Sequence, residues 1–213
     1  MKKIIFYVVA LLTFTGCVNT KNIRIEQDAA EQLSGKSIVS TLSDKPDFFA
    51  TTVNFGGLLG ALVARDQGNR LVRENDISDP AGDMGKKLIK DLSDKYSLSV
   101  LSVGDIQESD DILDLTKQYE NADYILDVRT VGWGFSYFPT DWNNYWVVYR
   151  AKMRLIDVKS KELVAEGYCS TPMEETPQSP SYEELVSNGA VGIKEELQKA
   201  ANDCLSQFKA NLL

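Results

Sequence analysis

Residues 123–170 read DYILDVRTVGWGFSYFPTDWNNYWVVYRAKMRLIDVKSKELVAEGYCS, and the alternation in this stretch decides the fold. Side chains alternate across a strand, so a period of two in apolar residues marks a sheet with one packed face. Tyr124, Leu126 and Val128 keep that period, and Val131, Trp133, Phe135 and Tyr137 keep it again out of phase. The packed face therefore switches near Thr130, where Gly132 and Gly134 permit a bulge or bend. A loop at 138–141 returns the chain. Tyr145, Val147, Tyr149, Ala151, Met153 and Leu155 then alternate with an outward basic row, Arg150, Lys152 and Arg154. A turn at 159–161 leads to a third strand at 163–170. Three strands on short connections form an antiparallel meander.

Outward from the meander the period changes. Residues 57–74 form a helical stretch that opens on an apolar run. Asp79-Pro80 caps another helix, with Met84, Leu88 and Leu92 four apart on one face. Residues 26–33 and 112–119 are short helices, and 37–43 and 98–103 read as strands. Ser181 and Glu184 make a capping box for a long helix towards Leu212, with Ile193, Leu197, Ala201, Cys204 and Phe208 on its apolar stripe. The fold expected is α+β: a mostly antiparallel sheet, with a three-strand meander plus one or two further strands, packed with helices and closed by a long C-terminal helix.

The N-terminus carries a different signal. Met1-Lys2-Lys3 precedes an apolar run at 4–14 and then Thr15-Gly16-Cys17. At about 1.5 Å per helical residue that run reaches only half a bilayer core, which suits a cleaved secretory signal. Phe14-Thr15-Gly16-Cys17 resembles the bacterial lipobox, with Phe at the place where Leu is usual. That resemblance implies lipidation of Cys17 and palmitate-type acylation. Val18, in place of Asp, implies the outer membrane, facing the periplasm. The domains expected are a cleaved signal at 1–16, a lipidated tether at 17–25, and one α+β domain at 26–213.

Composition narrows the function classes. The 213 residues hold 43% hydrophobic and 25% charged residues, ordinary for a globular chain, and no histidine. Catalytic triads with His and His-based zinc sites are excluded. The formal charge is −8, and removal of Lys2 and Lys3 with the signal leaves 21 basic against 31 acidic residues, or −10. Such a chain does not suit nucleic acid, nor does it cling to anionic lipid without a covalent anchor. With Cys17 lipidated, Cys169 and Cys204 remain and are expected to pair in an oxidising compartment. The bridge would close about 36 residues and stabilise by roughly 4 kcal/mol.

Several motifs bear on chemistry. AEQLSGKS at 30–37 fits a relaxed phosphate-loop pattern, but with helix before and strand after, so no nucleotide is expected. No metal or other cofactor is implied. Asp123 and Asp127 are four apart on a strand, with nothing to mark them as an acid/base pair; a carboxylate-dependent envelope hydrolase is one alternative, with no catalytic residue assigned. Gly56, Gly60 and Ala64 form a small-residue stripe, suited either to tight packing within the domain or to contacts in a homo-oligomeric assembly. Eight of the 20 aromatic residues fall in 133–149, including all three tryptophans. Most of these suit either core and cross-strand packing of a twisted hairpin or an interface; Trp133, Tyr137, Trp142 and Trp146 are the candidates for binding a partner, with Trp142 and Trp146 the most exposed.

DPAGDMGKKLIKDLSDKYSLSV (79–100), NADYILDV (121–128) and YRAKMRLIDVKSKELVAEG (149–167) together resemble small bacterial lipoproteins of the LpoB (penicillin-binding-protein activator) and CsgG (curli secretion) type. The resemblance covers residues 37–212 in shape. It implies the fold and the compartment, and it carries over no catalytic residue. A non-enzymatic envelope lipoprotein that binds a protein partner is the function expected.

Overall fold

The structure, a computed structural model, describes residues 22–52, 57–102, 106–107 and 109–213. Residues 1–21, with the signal and Cys17, and Gly56 lie outside the described residues. The helices are α1 (Gln27–Leu33), α2 (Gly57–Glu74), α3 (Ala81–Tyr96), α4 (Ile112–Gln118) and α5 (Tyr182–Leu212). The strands are β1 (Ser37–Ser40), β2 (Leu42–Ser43), β3 (Phe48–Thr51), β4 (Ser99–Val100), β5 (Ile106–Gln107), β6 (Tyr124–Tyr137), β7 (Tyr145–Asp157) and β8 (Glu162–Ser170). The class is α+β, as the sequence predicts.

The central sheet is six-stranded and mixed. The meander β6-β7-β8 is antiparallel, and β1 and β3 both pair parallel with β6, one behind the other along its length; β4 pairs parallel with β1. The further strands thus run parallel to the long strand rather than extending the antiparallel pattern. β2 and β5 form a separate parallel pair.

The predicted switch of face on β6 is a bulge at Val131. Thr130 pairs with Ala151 and Gly132 with Arg150, so Val131 has no opposite residue. The extra residue brings Tyr124, Leu126 and Val128 onto the same face as Trp133 and Phe135, and all five belong to one core with α2, α3 and α5. Val131 itself is exposed. The same bulge anchors α3. The Thr130 hydroxyl donates to the Asp79 carboxylate, which also accepts the Ala81 N–H at 3.0 Å. Tyr149 Oη lies 3.0 Å from the Thr130 hydroxyl. Burial holds the Asp79 carboxyl above its usual range, against the opposing Ala81 and Thr130 hydrogen bonds and the Lys45 charge.

α2 covers the edge of β3. The Phe48 N–H donates to Asn69 Oδ1 at 2.9 Å, and a Cβ placed on Gly68 would lie 1.9 Å from the Phe48 carbonyl oxygen. Only a glycine lets helix and strand backbones come that close. An edge strand that would otherwise offer free backbone groups is closed by a helix.

α5 follows the predicted capping box: the Glu184 N–H donates to Ser181 Oγ and the Ser181 N–H donates to Glu184 Oε2 at 2.8 Å. It is not one continuous helix. Residues 187–190 leave helical geometry, with Asn188, Gly189 and Ala190 at positive φ. Asn and Gly tolerate that region, so the first turns fold back before the long segment begins. Cys204 in that segment is bonded to Cys169 of β8, with Cα atoms 5.3 Å apart, and the bond fixes α5 to the sheet.

Candidate partner-binding hairpin

β6 and β7 form the hairpin that holds the candidate aromatic residues. Its register sets them on two faces. On the inner face, Phe48, Trp133 and Tyr149 make one rung, and Ala50, Phe135 and Val147 the next. Phe48 meets Trp133 edge-on at 5.0 Å and Phe135 at 6.1 Å, and Phe135 meets Tyr145 at 5.8 Å. On the outer face, the rungs are Phe49, Gly134 and Val148, then Thr51, Ser136 and Trp146. A Cβ on Gly134 would lie 2.1 Å from the Phe49 carbonyl oxygen, so this position stays bare beside the Phe49 ring.

This division corrects the expected binding set. Trp133 is 3% exposed and its indole N–H donates to the Pro46 carbonyl at 2.8 Å, so it belongs to the core. The bulge at Val131 turns it inward. Tyr137 is half-buried and lines a groove with Gly60, Ala61 and Ala64 of α2. Trp146 is half-buried on the outer face, and Trp142, at the hairpin tip, is 65% exposed. Phe49, which sequence inspection overlooked because β3 is only four residues long, is 42% exposed beside them.

The small-residue stripe is also placed inward. Gly60 and Ala64 are buried, and Gly68 continues their spacing against β3. Gly60 and Ala64 pack close within the domain, where they also line the groove beside Tyr137. What α2 does expose is its apolar shoulder, Leu59 and Leu62.

Further along, the outer face turns from apolar to charged. Asp127 is fully buried and accepts from Thr41 Oγ1 at 2.8 Å, Arg129 Nη2 at 2.9 Å and Arg154 Nη2 at 2.6 Å. Arg129 also donates to the Ser109 carbonyl. Burial pushes the Asp127 carboxyl up, and the two guanidiniums outweigh it, holding the group below its usual range. Arg154 is therefore buried rather than part of an outward row, while Lys152 pairs with Glu166 at 3.1 Å. Asp123 accepts the N–H and hydroxyl of Ser37, at 2.9 and 2.7 Å, and these bonds hold its carboxyl low. Both carboxylates of the spaced pair are thus bound to structural partners and held ionised. A general acid needs the opposite shift. The helix–Gly35–strand order at 27–40 is the reverse of a phosphate loop. Among the described residues no group of three or more Cys, Asp or Glu side chains is arranged to hold a metal, and no helix is long and apolar enough to cross a membrane.

No protein-family model matches the chain, and no curated protein matches its sequence. Solved structures with a similar trace include a protein from Xanthomonas campestris, at 9% identity and TM-score 0.40, covering 88% of this chain and 89% of that one. They also include the LpoB C-terminal domain from Salmonella enterica, at 12% identity and TM-score 0.25, covering 66% and 85%. A lipoprotein from Neisseria meningitidis shows 11% identity and TM-score 0.30, covering 82% and 99%. All three identities are below 25% and all three TM-scores below 0.5. The functional reading rests on this chain's own residues.

Proposed function

We propose that this chain is a non-enzymatic lipoprotein of the bacterial envelope, anchored by lipid on Cys17 in the outer membrane and facing the periplasm, which docks a protein partner on the outer face of the β6–β7 hairpin. The observation that carries the docking site is the apolar group of exposed Phe49 with half-buried Val148 and Trp146 around Gly134, on strands whose other face is packed. Monomers seldom leave aromatic side chains grouped on an open sheet face without use. Tryptophan at such a face is the residue type most enriched in binding hot spots. The Cys169–Cys204 bond supports an oxidising compartment, and the lipobox-like Phe14-Thr15-Gly16-Cys17 supports the anchor.

Two measurements test this. Crosslinking in intact cells should capture a protein partner, and Trp146→Ala should cut capture by about tenfold, the loss of roughly 1.4 kcal/mol expected for a hot-spot aromatic. Unchanged capture would remove the hairpin face from the proposal. Cys17→Ser should release the chain from membranes and abolish the mass added by acylation; a membrane-bound Ser variant of unchanged mass would remove the anchor.

A further inference from the structure

The path of the chain into the domain gives the anchored molecule a direction. Ile23 pairs antiparallel with Glu166 on the open edge of β8, with hydrogen bonds of 2.8 and 2.9 Å, and Asn22 accepts the Tyr168 N–H at 3.2 Å. Traced backwards from Ile23 to Asn22, the chain therefore moves along β8 towards Ser170. That is the end of the sheet where the β6–β7 tip lies. Cys17 precedes Asn22 by five residues, a reach of roughly 18 Å at full extension. A lipid on Cys17 must enter the bilayer within that distance of Asn22.

Four large apolar side chains stand in solvent at the same end of the domain, as Leu42, Val100, Ile106 and Leu113 do elsewhere. Trp142 is at the tip, 65% exposed. Leu59 and Leu62, 75% and 45% exposed, stand on the first turns of α2. Their neighbours Gly60 and Ala61 share a groove with Tyr137, the last residue of β6, which fixes this helix end beside the tip. Met173 is 55% exposed in the loop after β8, and that loop is tied to the tip by the Thr140 hydroxyl, which donates to Glu175 at 2.5 Å. Charge in these segments is confined to Asp141 of the tip and to Glu174 and Glu175, the exposed residues that follow Met173. Residues 48–64 contain no charged side chain, and residues 131–149 contain one, Asp141, in a protein with 25% charged residues. Indole rings prefer the depth of the headgroups, with their apolar edge inward and N–H towards water. Apolar side chains beside an anchor add their burial to that of the acyl chains.

We infer that this end, formed by Trp142, Leu59, Leu62 and Met173, rests on the phospholipid surface that holds the acylated Cys17. The anchored domain then keeps one fixed face to the membrane. Asn22 is level with Met153, roughly 26 Å of strand from Tyr145, so the reach to Cys17 requires the sheet to lean with its β8 edge towards the bilayer, and the hairpin's outer face, around Trp146 and Phe49, is left open to the periplasm. This inference rests on the lipid anchor proposed above.

The test uses the mature lipidated protein in vesicles of phosphatidylethanolamine and phosphatidylglycerol whose chains carry bromine, a short-range quencher of tryptophan. Trp133 is buried in the core and Trp146 lies on the outer face, so a quenched fraction belongs to Trp142. Wild-type emission should fall on brominated vesicles, Trp142→Phe should abolish that fall, and Leu59→Ser with Leu62→Ser should reduce it at least twofold. Three outcomes overturn the inference, and they are distinct. Protein that floats with the vesicles but keeps Trp142 unquenched by bromine and open to aqueous acrylamide has an anchor without a resting face. Protein whose Trp142 is shielded from acrylamide yet unquenched by bromine has this end covered by protein instead. Protein that fails to float at all lacks the anchor itself.

Discussion

Asp127→Ala is expected to lower the unfolding free energy by about 3–5 kcal/mol, the cost of removing one partner from a buried ion cluster. Two guanidiniums, 8% and 4% exposed, converge on this one carboxylate. Without it they face each other in a site with little water. The Ser109 carbonyl, which accepts from Arg129, cannot neutralise them. For a domain of this size each kcal/mol shifts the melting midpoint by about 2–4 °C, so the loss should be about 6–20 °C by calorimetry, with a matching fall in the urea midpoint. The cost belongs to the unpaired charges. Replacing Asp127 with Leu and both arginines with Met should therefore recover most of it. If the single variant loses less than about 1 kcal/mol, the cluster is not the closed site that the burial indicates. The pH dependence follows from the lowered carboxyl. In the unfolded chain this aspartate takes up a proton near its ordinary value of about 3.9. In the folded chain it does so only at lower pH. Its contribution is thus fully present above about pH 4 and is lost as pH falls through the folded value, and Asp127→Asn should flatten that acid limb of the stability curve.

Removing the Cys169–Cys204 bond should cost about 4 kcal/mol, by the chain-entropy estimate for residues 35 apart. The bond joins β8 to the long segment of α5 in the middle of the core, where both cysteines are buried. Alanine at both positions avoids leaving polar thiols in that environment and still removes the cross-link. The double variant should unfold at lower denaturant, with a larger change in exposed surface, because its unfolded chain is less constrained. Two alkylatable thiols in the mature protein purified from the envelope without reductant would show that the bond does not form in the cell. A double variant as stable as the wild type would show that the packing of α5, rather than its tether, holds the helix in place.

The meander was legible because its period of two runs over three long strands, and the bulge because its two halves are out of phase around Thr130. The bounds of α2 and the Ser181–Glu184 cap were legible for a similar reason: each is set by residues close together in sequence. What was hidden depends on distant pairing. β3 has only four residues, and its existence rests on a parallel partner more than eighty residues away. The break in α5 at 187–190 was visible only as Asn188-Gly189, a pair that helices also tolerate. In the candidate site the tip tryptophan could be placed from its loop. Trp133 could not, because its side depended on counting Val131 as an extra residue. Arg154 looked like a solvated strand cation until Asp127 was found opposite it in the register.

The unpaired residue at position 131 also makes the long strand a counter with a set phase. Everything before it and everything after it must differ by one step for a single helical layer to cover both. Loss of that one codon would roll Trp133 and Phe135 into water and draw Gly134 and Ser136 into the interior. Exchanging the side chain at the same place would change little. At this point the gene is constrained in length far more than in letter.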